Sequence, residues 1–455
     1  MRVHLLGIGG AAMSALGHLY LERGDSVSGS DAASSAVTDA LVADGARVAI
    51  GHGAANLGDA ELVVTSTAIK EDNPELREAR VRKMRVIHRG VAAAEITAGH
   101  RVVAVAGTHG KTTTTAMTAA ALNHLDPLVL NGGRLPGSPY NSRAGSGPVA
   151  IVEADESDGS FLQLTPEVGV VTNIEADHLD RYRGLDQIRQ AFERFSARVS
   201  STLVACVDDD GARRLLEVAP TDVISFGFGR ADLQGGDYSA HGGGCSFQVW
   251  SAWGNEEVRL PVVGRHNARN AMAAIAAGLS LGQRLRVMLD ALAEVKLPGR
   301  RMELVAEVNG ARVYDDYGHH PTEVRATLSA AREMGTGRLL CAFQPHRYSR
   351  LQALMDGFAG AFVSADEVIL LPVYAAGEDP IPGADAATLA ERIRAFDGRR
   401  PVSLLDSLDA LPDELRGRLA PGDVAVCMGA GDIYQASRAL AASTTPPPQA
   451  EGPGG

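Results

Sequence analysis

Gly107-Thr108-His109-Gly110-Lys111-Thr112 sets two glycines, a lysine and a hydroxyl in the order that grips a polyphosphate. Glycines let the backbone come close, so that N–H groups at the head of a following helix point at phosphate oxygens. The lysine then reaches the outermost phosphate, and the threonine hydroxyl suits Mg2+. The loop departs from the standard G-x-x-x-x-G-K-[ST] pattern, because Val105 stands where its first glycine belongs; it is a shorter G-x-x-G-K-T. Glu153-Ala154-Asp155-Glu156-Ser157-Asp158 and Asp177-His178-Leu179-Asp180 supply carboxylates and an imidazole, donors that hold a divalent cation against a nucleotide. An acidic loop on its own is most often just solvated, but two of them beside a phosphate loop point to a metal.

Other segments have the makings of binding sites. Gly7, Gly9 and Ala12 fit G-x-G-x-x-G/A, with Asp31 about twenty residues on, the pattern of a turn that takes a diphosphate-bearing ligand. Asn267 and Asn270 lie three apart on one helix face, where amides can read a base edge, although Asn267 by itself reads as a helix cap. Asp315-Asp316-Tyr317-Gly318-His319-His320-Pro321 offers tandem histidines for proton or phosphate handling. Gln344-Pro345-His346-Arg347-Tyr348-Ser349-Arg350 offers two arginines three apart, suited to a carboxylate.

These segments need strand ends and helix starts to hold them. Val3–Leu6, the Gly7–Gly10 turn, a helix from about Ala11 to Arg23 and Ser26–Ser30 make a βαβ unit. Val102–Val105 opens a second strand-turn-helix, with the polar stretch Glu71–Arg89 between the two and a boundary near residues 95–100. A third run of βα alternation starts with Ala311–Tyr314 and continues to Tyr434. The reading is an α/β chain with blocks at 1–97, 98–297 and 298–442, and a disordered tail at 443–455.

Composition agrees with folded domains: of 455 residues, 45% are apolar and 22% charged. With 43 basic against 55 acidic residues the net charge is −12, which argues against nucleic acid or an anionic membrane as partner. Cys206, Cys245, Cys341 and Cys427 are too scattered for a disulfide framework or a Cys-rich zinc site. No apolar run approaches a membrane span and the first residues lack a signal-peptide pattern, so a cytoplasmic location is expected.

Taken in order, the segments resemble those of the Mur ligases of peptidoglycan synthesis, in particular the branch that adds L-alanine to UDP-N-acetylmuramate. The resemblance rests on GIGG at 7–10, GTHGKTTTT at 107–115, EADESDGSFL at 153–162, TNIEADHLD at 172–180, GRHNARNAMAA at 264–274, PGRRME at 298–303, DDYGHHPTE at 315–323 and FQPHRYSR at 343–350. It implies an N-terminal Rossmann-like domain for the UDP-sugar, a central P-loop ATPase-like domain and a C-terminal Rossmann-like domain for the amino acid. It further implies an ATP-dependent ligase that proceeds through an acyl phosphate, with ATP and two Mg2+ ions as expected cofactors.

By motif, the resemblance gives Gly107, Thr108, His109, Gly110, Lys111, Thr112 and Thr113 to the ATP phosphates, with Lys111 on the γ-phosphate. Thr112 and Glu153 would hold one Mg2+ and His178 a second. His109 would also meet the muramyl substrate, Asn267 and Asn270 the adenine, Arg301 the phosphates and Asp316 the ribose. His319 or His320, with His346, Arg347 and Arg350, would orient alanine, and either tandem histidine is a candidate for proton work. Gly7, Gly9, Gly10, Ser30 and Asp31, with Ser66 and Ala68 in the Thr65–Ile69 segment, would hold the UDP-sugar. Related ligases that add later amino acids carry a carbamylated lysine after the acidic-histidine motif. Here Phe192 takes that place, as the resemblance leads one to expect of the alanine branch. Three rival readings compete with this one: a recycling ligase acting on a preformed tripeptide, a nicotinamide-dependent oxidoreductase, and a silent ATP-binding regulator.

Overall fold

The computed structural model describes residues 1–178, 181–335 and 337–442; Leu179, Asp180 and the tail expected to be disordered, 443–455, lie outside the described residues. Its three βα alternations build three sheets, as the α/β reading expected. The first sheet has five parallel strands in the order Arg47–Ile50, Ser26–Asp31, Arg2–Leu6, Leu62–Thr65, Arg85–His88. The chain winds outward on one side of Arg2–Leu6 and then on the other. The strand order therefore reverses between Arg2–Leu6 and Leu62–Thr65, and such a switch point opens a crevice at the carboxyl ends of the strands.

Glu71–Arg89, which reads only as a polar stretch ahead of a boundary near residues 95–100, contributes a helix and the edge strand of this sheet. Asn73 caps the helix Pro74–Val81, accepting from the Glu75 and Leu76 N–H groups with proline at the first helical position, and the strand Arg85–His88 follows.

The second sheet runs Gly254–Leu260, Gly244–Ser251, Leu233–His241, Asp222–Gly227, Thr202–Cys206, Val168–Val171, Arg101–Ala106, Val149–Glu153, Leu128–Leu130, Ser142–Arg143. Arg101–Ala106 pairs in parallel with Val168–Val171 on one side and Val149–Glu153 on the other. From Val102 on it is buried throughout, which is why it reads as an unbroken apolar run instead of an alternation. Its two neighbours end in the two acidic segments, so the pairing gathers loop and acids at one edge.

The third sheet runs Glu303–Val308, Ala311–Asp316, Val424–Met428, Leu339–Phe343, Glu367–Leu370, Val402–Leu404; only its first pair is antiparallel. One apolar core lies on each of its faces, with Cys341 in one and Cys427 in the other. The chain divides into two compact units, one made mainly of residues 1–298 and the other mainly of those from 299 on. Among the described residues no helix is long and apolar enough to cross a membrane.

Candidate active site

The phosphate loop leaves Arg101–Ala106 and enters the helix Lys111–Ala121 through Gly107 (φ +133°) and Gly110 (φ +80°). A Cβ on Gly107 would lie 2.0 Å from Thr172 Oγ1, so only glycine fits. Thr172 and Asn173, at the end of the next strand, grip the loop. Thr172 Oγ1 donates to the His109 carbonyl (2.6 Å), and Asn173 accepts the His109 N–H at 2.8 Å and donates to its carbonyl at 3.0 Å. Thr108 Oγ1 accepts the Glu175 N–H at 2.9 Å. The loop is thereby shaped by the neighbouring strand end.

Lys111 and Thr112 lead into two carboxylates. Thr112 Oγ1 donates to Glu153 Oε1 at 3.1 Å, and Glu153 Oε2 accepts the Gly132 N–H at 2.6 Å. Lys111 Nζ donates to the carbonyls of Gly107 (2.7 Å) and Thr108 (3.1 Å) and to Glu156 Oε1 (3.0 Å), with Glu156 Oε2 at 2.8 Å. Burial alone would favour the neutral amine, but Glu156, Asp155 and Glu153 outweigh it and hold Lys111 charged well above the usual lysine range.

His178, in a left-handed conformation (φ +52°), brings Nε2 to 3.5 Å from Glu156 Oε1. Burial works against its protonation, yet Glu156 and Asp177 win and raise its pKa. The predicted metal residues thus fall in two groups, Thr112 with Glu153, and His178 with Glu156. His109 is buried, its Nε2 3.5 Å from Glu175 Oε2.

Asn267 and Asn270 lie inside the helix Arg265–Ser280, so Asn267 is not its cap; both are buried, with Asn270 Nδ2 3.5 Å from Asn267 Oδ1. Asn270 Oδ1 is the atom that a Cβ on Gly110 would meet at 2.8 Å, which places the amide pair against the phosphate loop. Thr113 is buried in the first turn of the loop's helix. Phe192 is fully buried, packed edge-on against Phe161 at 5.4 Å between ring centroids, so the position of the carbamylated lysine is apolar core.

At the crevice of the first sheet, Gly7 (φ +72°) and Ile8 donate to the Ser30 carbonyl at 2.8 and 3.0 Å, and Gly9 donates to Asp31 Oδ2 at 2.8 Å. Gly10 closes the turn onto the Gly7 carbonyl at 3.0 Å. Ile69 reaches the Gly7 turn, the Ser66 carbonyl accepts the Ile69 N–H, and Ala68 is exposed. Ser30 differs from expectation. Its side chain is wholly buried, and its hydroxyl lies between Glu75 Oε2 (2.6 Å) and His52 Nδ1 (2.9 Å), supporting the site from within. Glu75 also receives Gly53 N–H (2.9 Å) and Asn56 Nδ2 (2.7 Å), with His4 Nε2 at 3.1 Å.

The second unit carries its own cluster at the carboxyl ends of Ala311–Asp316 and Leu339–Phe343. Asp316 is buried, accepting from Gly318 N–H (2.9 Å), Met302 N–H (3.0 Å) and Thr327 Oγ1 (3.3 Å), so it shapes the turn; burial raises its pKa against the pull of Arg301. Arg300 donates to Asp315 Oδ2 at 3.2 Å, and both Arg300 and Arg301 lie over the Tyr317 ring. His320 is the buried cap of the helix Pro321–Arg332, reciprocated by Glu323, a structural part that its pairing with His319 does not suggest. His346 stacks on Tyr374 at 5.4 Å, has the His319 ring at 6.0 Å, and accepts from Arg350 Nη1 at 3.2 Å through Nδ1. Burial and the neighbouring His319, Arg350 and Arg347 push its pKa down to about 3. Arg347, in a left-handed conformation, lies 3.7 Å from Glu378.

Sequence reasoning missed Thr172, Asn173 and His52, and it named Glu156 only as one acid of a metal-binding segment, not as the partner of Lys111. Thr172 and Asn173 stand inside a quoted motif, which is the available signal; His52 follows a short strand and has none.

Three family models match in succession: "Mur ligase family, catalytic domain" over residues 2–101, "Mur ligase middle domain" over 105–278 and "Mur ligase, glutamate ligase domain" over 300–431. The chain is 44% identical to a UDP-N-acetylmuramate–L-alanine ligase of Thermobifida fusca, covering 95% of this chain and 94% of that one. It is 42% identical to one of Agrobacterium fabrum, covering 96% of each. Among solved structures it resembles the UDP-N-acetylmuramate-alanine ligase of Thermotoga maritima (TM-score 0.83, 30% identity, 97% of this chain and 99% of that one). It resembles the murein peptide ligase of Psychrobacter arcticus less well (TM-score 0.71, 25% identity, 97% and 98%).

Proposed function

The chain belongs to the Mur ligase family, and from that premise we propose how its residues carry the reaction. The protein is an ATP-dependent ligase that joins L-alanine to the lactyl carboxylate of UDP-N-acetylmuramate, releasing ADP and phosphate, in peptidoglycan synthesis. The tripeptide and nicotinamide readings are not favoured: the T. maritima alanine ligase fits better than the murein peptide ligase, and a dehydrogenase leaves the phosphate loop without a purpose.

A carboxylate does not acylate an amine, because oxide cannot leave. The lactyl carboxylate therefore attacks the γ-phosphate, ADP departs, and the amine of alanine adds to the acyl phosphate, expelling phosphate. Catalysis of such transfers is mostly positioning and charge neutralisation. The observation that carries this reading is the Lys111 ammonium held at the head of a helix beside Glu156, one residue from the Thr112–Glu153 pair. In our reading Lys111 moves from Glu156 to the γ-phosphate, and the N–H groups of Gly107–Thr113 cradle the rest. Asn267 and Asn270 take the adenine.

A hydroxyl and a carboxylate oxygen 3.1 Å apart are hard donors that fit Mg2+. Thr112 and Glu153 would hold one ion and His178 a second, and when bound these ions neutralise charge building on the transferred phosphate. His109 is assigned to the muramyl group. Arg301 is assigned to phosphate, with Asp316 acting through the turn it holds. Gly7, Gly9, Gly10, Asp31, Ser66 and Ala68 would line the UDP-sugar crevice, with Ser30 behind them. His319, Arg347 and Arg350 would orient alanine beside His346. The use of ATP and the buried thiols of Cys206, Cys341 and Cys427 support a cytoplasmic location.

Oxygen-18 in the lactyl carboxylate is expected to appear in the released phosphate, and phosphate is expected only when UDP-N-acetylmuramate, L-alanine and ATP are all present. Lys111→Ala should abolish both while leaving the circular dichroism spectrum unchanged. Unlabelled phosphate, or full turnover by Lys111→Ala, would refute the reading; faster turnover with tripeptide than with alanine would move the chain to the recycling branch.

A further inference from the structure

One side chain ties the segment Glu153–Asp158 to the sheet that bears the UDP-sugar crevice. Arg89 opens the helix Arg89–Ile96 directly after the edge strand Arg85–His88. Its guanidinium donates to Asp158 Oδ2 through Nε (2.9 Å) and Nη2 (2.6 Å), and to Asp155 Oδ2 through Nη2 (2.9 Å). The other oxygen of each acid is engaged inside the loop, Asp155 Oδ1 by the Ser157 N–H (3.0 Å) and Asp158 Oδ1 by the Ser160 N–H (2.8 Å). The approach is close, since a Cβ on Gly90 would lie 2.7 Å from that of Ser160.

Asp155 stands between the two acids that face the phosphate loop, Glu153 on Thr112 and Glu156 on Lys111. Asp155 and Asp158 make three charge-assisted bonds to one planar cation, and such a fork fixes orientation as well as distance. A tether at Asp155 therefore limits how far Glu153 can tilt. The sequence spacing hides this, because Arg89 lies at the end of a stretch that reads only as polar and charged.

We propose that Arg89 is a positioning residue for the metal site: a cation at the start of the helix after the first sheet's edge strand that sets the carboxylate of Glu153 and so the affinity for the nucleotide-bound divalent ion. The proposal rests on the reading that Glu153 holds that ion.

The test is Mn2+ binding, titrated by electron paramagnetic resonance with ADP present, on the full-length protein and the variants Glu153→Gln, Arg89→Ala, Arg89→Lys and Asp158→Asn. Loss of an outer partner of a metal ligand weakens metal binding by about 10–100-fold. Arg89 touches Asp155 and not Glu153 itself, so Arg89→Ala should weaken Mn2+ by about tenfold, the low end of that range, and Arg89→Lys and Asp158→Asn by less, since each keeps part of the fork. A merely structural ion pair would lower the melting temperature and leave Mn2+ affinity unchanged. Wild-type Mn2+ binding by Arg89→Ala, or by Arg89→Lys and Asp158→Asn should the alanine variant fail to fold, overturns the proposal while weakened binding by Glu153→Gln leaves the metal reading standing. Wild-type binding by Glu153→Gln would instead remove the metal reading itself.

Discussion

Glu156→Gln should tighten nucleotide binding and slow the reaction, two effects that most active-site substitutions do not combine. The three protons of the Lys111 ammonium have three partners: the carbonyls of Gly107 and Thr108, and Glu156. A γ-phosphate that claims the lysine must displace the carboxylate. At 2.8 Å the gross Coulomb attraction is about 6 kcal/mol for an effective dielectric of about 20. Desolvation of two nearly buried charges takes back most of that. What a phosphate recovers when the competitor is neutral is of order 1–2 kcal/mol, a gain of roughly 5–30-fold in affinity. The same substitution removes the carboxylate 3.5 Å from His178, so turnover should fall even as binding improves.

Calorimetry with a non-hydrolysable ATP analogue, without metal, reads the first effect, with ADP, which lacks the γ-phosphate, as the control, and phosphate release reads the second. In a Lys111→Met background Glu156→Gln should change nucleotide affinity little, because the shared partner is gone; this cycle isolates the pair. Binding no tighter than wild type in the single variant would refute the competition, and an equal gain in both backgrounds would show general charge repulsion instead.

Two further expectations follow from titratable groups away from the phosphate loop. Burial would raise the pKa of Glu75, but bonds from His4, Ser30, Gly53 and Asn56 outweigh it and pull it from 4.5 to about 2, worth about 3 kcal/mol. A depressed carboxylate stabilises the fold above pH 4.5 and loses that contribution as pH falls towards 2. Glu75→Gln should therefore cost about 3 kcal/mol in urea unfolding at pH 7, with the gap to wild type narrowing at pH 3.5; a gap that does not narrow refutes the assignment. His346, with its pKa near 3, should stay neutral from pH 5 to 9, leaving Arg350 to supply the charge beside it. A ring titration seen by NMR with its midpoint above pH 5 would overturn that.

The parts legible in the sequence are those that local chemistry dictates. A glycine turn after an apolar strand needs nothing beyond its neighbours to declare itself, and Gly7, Gly107, Lys111 and Thr112 stand where their spacing put them. Acids at strand ends are legible for the same reason, although their partners are not. That Glu153 meets Thr112 while Glu156 meets Lys111, 45 residues away, depends on which strand lies beside Arg101–Ala106. A strand order is a long-range choice, and no short window contains it.

The same limit explains the residues whose part differs from expectation. Ser30 and Asp31 are adjacent at the end of one strand, and a strand sends successive side chains to opposite faces. Asp31 therefore reaches the Gly9 N–H while Ser30 turns inward to Glu75, whose own helix reads only as part of a polar stretch. Motifs thus report which backbone turns exist, whereas the charge environment at those turns comes from side chains that the motifs do not contain. Glu156 is the clearest case: it sits inside a quoted motif, yet its partner is fixed only by the parallel pairing of two strands. For that reason the competition between Glu156 and phosphate for Lys111 tests the fold and the chemistry together.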